Sequence, residues 1–248
     1  MDIEIKCKFP LTDGKKIISF TLYGNNPFYT EGAIQNAILA PYVYPGWTCR
    51  FYVDHSVPSN IIESLLDKNC QIYLVKNSKD FEFNPRTKLL WRFLPVGENV
   101  RFISRDADSR LNSKEAWATN KWMETEKKFT RIFDIGETNI ILGGCWGATS
   151  IKNVSAISDI EKKIFEWVNL KSKKRDTDEK FLEQIVLPLL EKSVLDFGDK
   201  NKRPKAIKDS IPFLFKKKLR IGKAIFPDSE LFKNPDLWYK EFIKKPDH

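Results

Sequence analysis

Between residues 17 and 104 the chain alternates between two residue periodicities, and no other feature narrows its possible folds as far. Ile17-Ile18-Ser19-Phe20-Thr21-Leu22-Tyr23 is a strand-forming run that ends at a turn cluster, Gly24-Asn25-Asn26-Pro27. Ala33/Ala37 and Ile34/Ile38 then recur at i, i+4, which predicts a helix over 31–40, capped by Thr30 and stopped by Pro41. Cys49 to Asp54 predicts a second strand. Residues 59–67 predict a short helix with Ile61, Ile62, Leu65 and Leu66 as its apolar stripe. Cys70 to Val75 is a third strand, 87–95 a helical segment, and Val100 to Ser104 a fourth strand. This order predicts an α/β fold with a mostly parallel sheet covered by helices.

In such sheets ligands bind beyond the carboxyl ends of the strands. Three polar clusters fall there: Tyr23-Gly24, Asp54-His55 and Asp106-Ala107-Asp108. Two carboxylates one residue apart, where a strand opens into a turn, can face one cleft and suit a hard cation such as Mg²⁺ or Mn²⁺. A diphosphate would complete the coordination, and the cation would stabilise a departing nucleoside diphosphate. Arg105 and Arg110 flank the pair, and a planar, permanently charged guanidinium is a good phosphate partner. The same D-x-D string also occurs on ordinary surface turns. Tyr23, Asn25 and Asn26 stand where a base or ribose would lie, although Asn and Gly there are also ordinary turn chemistry.

Further along, Asn112-Ser113-Lys114-Glu115 predicts a capping box opening a helix that carries Ala118/Trp122 and Thr119/Met123. Residues 139–142 predict another strand, followed by Gly143-Gly144-Cys145-Trp146-Gly147. That string is either a turn admitting a ligand close to the backbone, with Trp146 stacking on a sugar or base, or a structural turn with a buried tryptophan. Ser158-Asp159-Ile160-Glu161 predicts a second capping box and a helix with Ile164, Phe165 and Val168 inward. A helix over 178–192 carries Phe181, Leu182, Ile185 and Leu189. Asp178-Glu179 at its start either supplies a carboxylate near an acceptor or simply complements the helix dipole. Beyond residue 193 the pattern weakens.

The formal net charge is +9, and residues 200–223 hold ten Lys or Arg against one Asp, so the remainder is close to neutral. That distribution does not predict a nucleic-acid-binding surface. The basic stretch is either a solvated face or a contact for an anionic acceptor or a membrane surface. Two histidines, His55 and His248, are too few for a His-rich metal site. Cys7, Cys49, Cys70 and Cys145 form no C-x-x-C pair, which favours reduced thiols over a zinc site. There is no apolar run of membrane-spanning length, and the first residues lack signal-peptide character, so a cytoplasmic location is expected.

Ile103-Ser104-Arg105-Asp106-Ala107-Asp108-Ser109-Arg110-Leu111-Asn112, with Glu115, Trp122 and Ile141-Leu142-Gly143-Gly144-Cys145-Trp146-Gly147, resembles a family of GT-A-type glycosyltransferases of bacteria and large DNA viruses. Its pattern is R-D-x-D-S-R-L, a helix, then I-L-G-G-x-W-G. Leu22 to Pro27, Tyr29 to Asn36, Tyr44 to Trp47, Asp178 to Leu182 and Ile221-Gly222 look similar as well, so the resemblance spans roughly residues 17 to 225.

It implies a GT-A-like, Rossmann-type mixed sheet flanked by helices in a single domain over 1–248. Residues 1–110 would be the nucleotide-sugar half and 111–248 the acceptor half. It further implies a UDP-sugar donor with Mn²⁺ or Mg²⁺, and a glycan, glycolipid or protein acceptor. Asp106 and Asp108 would be the metal ligands, with Asp106 also near the donor ribose. The donor set is Tyr23, Asn25, Asp54, Arg92, Arg105, Asp106, Arg110, Gly144 and Trp146. Asp178, Glu179 and Asp196 are the candidates for a catalytic carboxylate.

The chain departs from the family in places. An R-D-H-P-x-H-like element reads Phe133-Asp134-Ile135-Gly136-Glu137-Thr138, without either histidine. Leu195-Asp196-Phe197 stands for an H-D-S-like element, and Glu179 stands where Gln is preferred. Two rivals stay open: a metal-dependent phosphoesterase or nuclease, and a non-catalytic module binding through 200–223.

Overall fold

A computed structural model describes residues 2–7, 16–76, 84–134, 139–149, 160–171, 177–190, 193–213 and 220–243. Its centre is β2 (Lys16–Leu22), whose residues are buried on both faces. Ile18, Phe20 and Leu22 point into one core cluster and Ile17 into the other, as the two-residue period of a strand requires. β3 (Trp47–Val53) and β5 (Arg101–Ser104) both run parallel to β2, on opposite sides of it. β4 (Gln71–Lys76) continues parallel beyond β3, and β1 (Asp2–Lys6) closes that edge antiparallel. On the other side β7 (Trp146–Thr149) lies antiparallel to β5 and to β6 (Phe129–Phe133), and β8 (Val194–Gly198) pairs parallel with β6. The eight described strands therefore form one mixed sheet in the order β1-β4-β3-β2-β5-β7-β6-β8. The expected single-domain α/β sheet flanked by helices is observed.

α1 (Pro27–Val43) starts earlier and ends later than expected. Asn26, not Thr30, caps it, accepting from the Phe28 N–H at 3.0 Å, with Pro27 in the first turn. Pro41 does not stop it. The missing N–H falls in the final turn, and the Tyr44 N–H still reaches the Ala40 carbonyl at 2.8 Å. α2 (Ser59–Asp67) has the predicted limits. The segment before β5 is α3 (Pro85–Lys88), capped by Asn84, running into a 3₁₀ helix, Leu89–Gly97, which contains Pro95. α4 (Ser113–Met123) opens with the predicted capping box.

Residues 139–142 form no strand. Pairing begins only at Trp146, after the Gly143-Gly144 turn, and β6 and β8 are strands that the sequence pattern did not mark. α5 (Ile160–Lys171) buries Ile164, Trp167 and Val168 while Phe165 is turned outward. Its expected cap, Ser158-Asp159, lies outside the described residues. α6 (Thr177–Phe181) passes through a π-helical turn, Leu182–Val186, into α7 (Leu187–Leu190). The extra residue of that turn buries Val186 and Leu187 and leaves Ile185 only half-buried. Two short helices, α8 (Glu230–Lys233) and α9 (Asp236–Phe242), follow. The basic stretch 200–223 is described only in part, because 214–219 lie outside the described residues.

This order has one topological switch point. From β2 the parallel strands diverge to β3 on one side and β5 on the other, which opens a crevice beyond their carboxyl ends.

Candidate functional site

The crevice holds two adjoining chambers that share Leu89, Arg92 and Asp106. The first, of about 240 Å³, is walled by the end of β2 (Thr21, Leu22, Tyr23), by Tyr29 of α1, and by Ala107 and Asp108. The second, of about 220 Å³, is walled by Leu142, Gly143, Gly144 and Cys145, by Asp178 and Glu179 of α6, and by Gly222.

Arg92 sits between them. The two hydroxyls on the polar face of β2 fix its backbone: Ser19 Oγ donates to the Arg92 carbonyl at 2.8 Å, and the Arg92 N–H donates to Thr21 Oγ1 at 3.1 Å. Its guanidinium donates to Asp106 Oδ1 and, at 2.9 Å, to Asp178 Oδ2. Burial opposes the charge of Arg92, but the two carboxylates outweigh it and hold the group protonated.

The Asp106–Asp108 loop is built from α1. The Asn36 amide donates to the Ser109 carbonyl at 2.8 Å and accepts from the Leu111 N–H at 2.9 Å. Gly32 lets the helix approach so closely that a Cβ there would overlap the Ala107 carbonyl. Ser109 Oγ closes the turn by donating to the Asp106 carbonyl at 3.1 Å. On the opposite wall, a Cβ on Gly144 would overlap the Asp106 carboxylate, and one on Gly143 would fall 2.6 Å from Asp178 Oδ2. The glycine pair thus forms a cradle for both carboxylates.

The electrostatics of the two aspartates differ. Burial works against ionising Asp106, but Arg92 outweighs it and keeps that carboxyl below its usual range. Burial, and then the charge of Asp106, push Asp108 up to about 6. The first chamber therefore carries more negative charge than Arg92 neutralises, and its donors are hard carboxylate oxygens. That donor set fits Mg²⁺ or Mn²⁺. No group of three His, Cys, Asp or Glu comes together among the described residues, so the remaining ligands would be phosphate and water oxygens.

A polar network borders the first chamber at the ends of β2 and β3. Lys88 pairs with Asp54 at 2.5 Å and lies 5.6 Å from the centre of the Tyr23 ring. Ser56 donates to Asp54 and accepts from the Gly24 N–H at 2.7 Å.

The expected site residues divide accordingly. Tyr23, Arg92, Asp106, Asp108, Gly144, Asp178 and Glu179 line the chambers. Asp54 lines neither chamber and is tied up with Lys88 and Ser56, and Asn25 is exposed on the turn. Neither flanking arginine faces the cleft. Arg105 is buried, paired with Glu115 at 3.0 Å and donating to the Gly144 carbonyl at 2.8 Å, so it buttresses the glycine turn. Arg110 is buried against α1, donating to Gln35 Oε1 at 2.7 Å and to the Ala107 and Ser109 carbonyls. Trp146 is a core residue at 1% exposure, packed edge-on against Phe102 and Phe129, and it offers no stacking face. Asp196 makes a two-pronged pair with Arg131, directly across from it in β6–β8 register, and lines neither chamber.

Tyr29, Gly32, Gln35 and Asn36 fall in the Tyr29 to Asn36 stretch that resembles the family, but neither they nor Leu89 carried a site role in the sequence pattern. Gly32, Gln35 and Asn36 recur at i, i+3, i+4 on α1, one small and two polar residues on a buried face. Sequence reasoning also missed what residues 221–226 do. The Ile221 N–H donates to Asp134, which pairs with Lys114. Ala224 bridges to Ser109, and the Ile225 N–H donates to the Asp108 carbonyl at 2.8 Å. This stretch straps the Asp106–Asp108 loop from outside.

No family model matches the chain, and no curated protein matches its sequence. Solved structures do resemble it. A galactosyltransferase, LgtC, in complex with donor and acceptor sugar analogs is 17% identical, with 74% of this chain and 73% of that chain covered and a TM-score of 0.48. A 4-diphosphocytidyl-2C-methyl-D-erythritol synthase from Anaerococcus prevotii is 14% identical over 79% of this chain and 92% of that chain, TM-score 0.43. A glycosyltransferase involved in glycosylation of the major capsid of PBCV-1 is 10% identical over 82% and 94%, TM-score 0.44. All three TM-scores lie below 0.5, so the chemistry of the site has to come from its own residues.

Proposed function

We propose that this chain is a metal-dependent glycosyltransferase of GT-A type that moves a sugar from a nucleotide-sugar, a UDP-sugar first among them, to a hydroxyl of a glycan, glycolipid or protein. One observation supports this most. At the switch point of the sheet, Asp106 and Asp108 line one chamber, and Arg92 ties Asp106 to Asp178 in the chamber beside it. Transfer between two substrates uses adjoining subsites, and two adjoining chambers with a charged group between them support this reading.

In this reading Asp106 and Asp108 hold Mn²⁺ or Mg²⁺. Bound there, the cation neutralises the charge that develops on the leaving nucleoside diphosphate. Tyr23, Asp54 and Lys88 border the base and ribose. Gly143 and Gly144 let the substrate approach the backbone. Asp178, with one oxygen held by Arg92, turns toward the second chamber and accepts the proton of the attacking acceptor hydroxyl, with Glu179 beside it. The 200–223 segment gives the protein an anionic-surface contact, as at the cytoplasmic face of a membrane, and nucleic acid is not a partner.

The direct test is release of nucleoside diphosphate from UDP-glucose, UDP-galactose, UDP-N-acetylglucosamine and GDP-mannose with Mn²⁺ and a mixed oligosaccharide acceptor. Release from one donor, reduced on the order of 10²–10⁴-fold in Asp178→Asn, is expected. Folded protein that turns over none of them overturns the proposal.

A further inference from the structure

Three aromatic rings run from the first chamber to its outer rim. Tyr29 lines the chamber with Asp106 and Asp108 and is 41% exposed. Its ring packs edge-on against Phe28, centroids 4.9 Å apart. Phe28 in turn stacks on Phe226 at 5.3 Å, with the planes 13° apart. Phe226 is 60% exposed, the most exposed large hydrophobic side chain among those described.

An exposed phenylalanine on a free loop would mean little, since scattered surface apolar residues are normal. This one is fixed on both sides. The Ile225 N–H is bound to the Asp108 carbonyl, and the Phe226 carbonyl accepts from Ser229 N and Oγ at 3.0 and 2.6 Å. Ser229 caps α8, which is held to α1 by Gln35 Nε2 donating to the Phe232 carbonyl at 3.0 Å. The ring is thus pre-organised, stacked on one face and open on the other, and continuous with the cleft.

We infer that Phe226 and Phe28 form a platform for a sugar ring of the acceptor, at the rim beyond the donor chamber that Tyr29 lines. The inference rests on the transferase reading for its choice of ligand. A pyranose presents a face of C–H groups edged by hydroxyls. The open face of Phe226 suits the first, and its exposure at the rim leaves the hydroxyls to water. A nucleobase would use the same stacking face, so the test must separate the two.

The probes are methyl β-D-glucopyranoside, methyl β-D-galactopyranoside and methyl α-D-mannopyranoside, observed by saturation-transfer NMR on the full chain with UDP and Mn²⁺ present and absent. At least one pyranoside is expected to receive saturation on its C–H face. Its affinity should fall about three- to tenfold in Phe226→Ala and recover in Phe226→Trp. Tyr42→Ala, at a comparably exposed aromatic at the far end of α1, serves as the control and should change nothing. Silence from all three sugars, equal signals in wild type and Phe226→Ala, or dependence of UDP rather than any pyranoside on Phe226 would each overturn the inference. Calorimetry of UDP on the same samples reports the transferase reading separately. Nucleotide binding without a Phe226-dependent sugar signal removes only the platform, and the converse removes only the transferase.

Discussion

Arg92 donates through Nη2 to Asp178 Oδ2 at 2.9 Å, joining segments 86 residues apart in sequence. The same guanidinium holds Asp106 through Nη1, so one buried cation sets the spacing between the carboxylates of the two chambers. Removing it strands two acidic groups in a partly dry cleft. Arg92→Met is expected to destabilise the fold by about 1–3 kcal/mol, less than for a fully buried pair because Asp106 is 37% exposed, read from denaturant midpoints. Arg92→Lys restores the charge but not the fork, and should recover part of the stability while leaving turnover depressed.

Gly144→Ala tests the cradle. The added Cβ collides with the Asp106 carboxylate, not with an apolar wall. A cost to stability of about 1–3 kcal/mol is expected. Manganese-dependent nucleotide binding should weaken more than tenfold, because Asp106 must swing away. Calorimetry and thermal melts on the same variant separate the two effects.

Trp146 is expected to behave as a core residue. Trp146→Ala should cost about 3–5 kcal/mol, whereas Trp146→Phe, which keeps an aromatic ring among Phe93, Phe102 and Phe129, should fold and retain nucleotide affinity. A Trp146→Phe variant that folds normally but loses nucleotide would show that the indole faces ligand after all.

Glu115 supplies a pH signature of the fold. Burial pushes its carboxyl up to about 7 against the pull of Arg105 and the Asn112 N–H. A raised folded-state value means the fold binds this proton more tightly than the unfolded chain does. The contribution to stability is therefore full below about 4.5 and is lost as pH rises toward about 7. Glu115→Gln keeps the capping geometry without the titration. The stability difference between wild type and variant should shift by about 1–3 kcal/mol across that window and stay flat above it. A difference independent of pH would contradict the assignment.

Much of this architecture was legible in local pattern. β2, α2, β5 and the Asn112–Glu115 capping box follow from periodicity and cap chemistry over a few residues, and Asp106–Asp108 was placed by strand-end logic. What was hidden depends on partners distant in sequence. β6 and β8 are short and gain meaning only from pairing with each other, and the same register turns Asp196 onto Arg131. Arg105 was in principle readable. Its N–H still pairs with the Ser19 carbonyl at 3.0 Å, so strand alternation sends Arg105 and Asp106 to opposite faces. Glu115, one turn into α4, meets it there. Arg110 was less accessible, because only the approach of α1 at Gly32 encloses it.

Asp106 and Asp108 are expected to hold a cation that in turn holds a nucleotide diphosphate. Calorimetric titration of UDP and GDP, with and without Mn²⁺, against wild type and Asp108→Ala tests it most directly. Binding of one nucleotide that requires Mn²⁺ and is lost in the variant is expected. Equal affinity with and without Mn²⁺, or no binding of either nucleotide to folded wild-type protein, would contradict it.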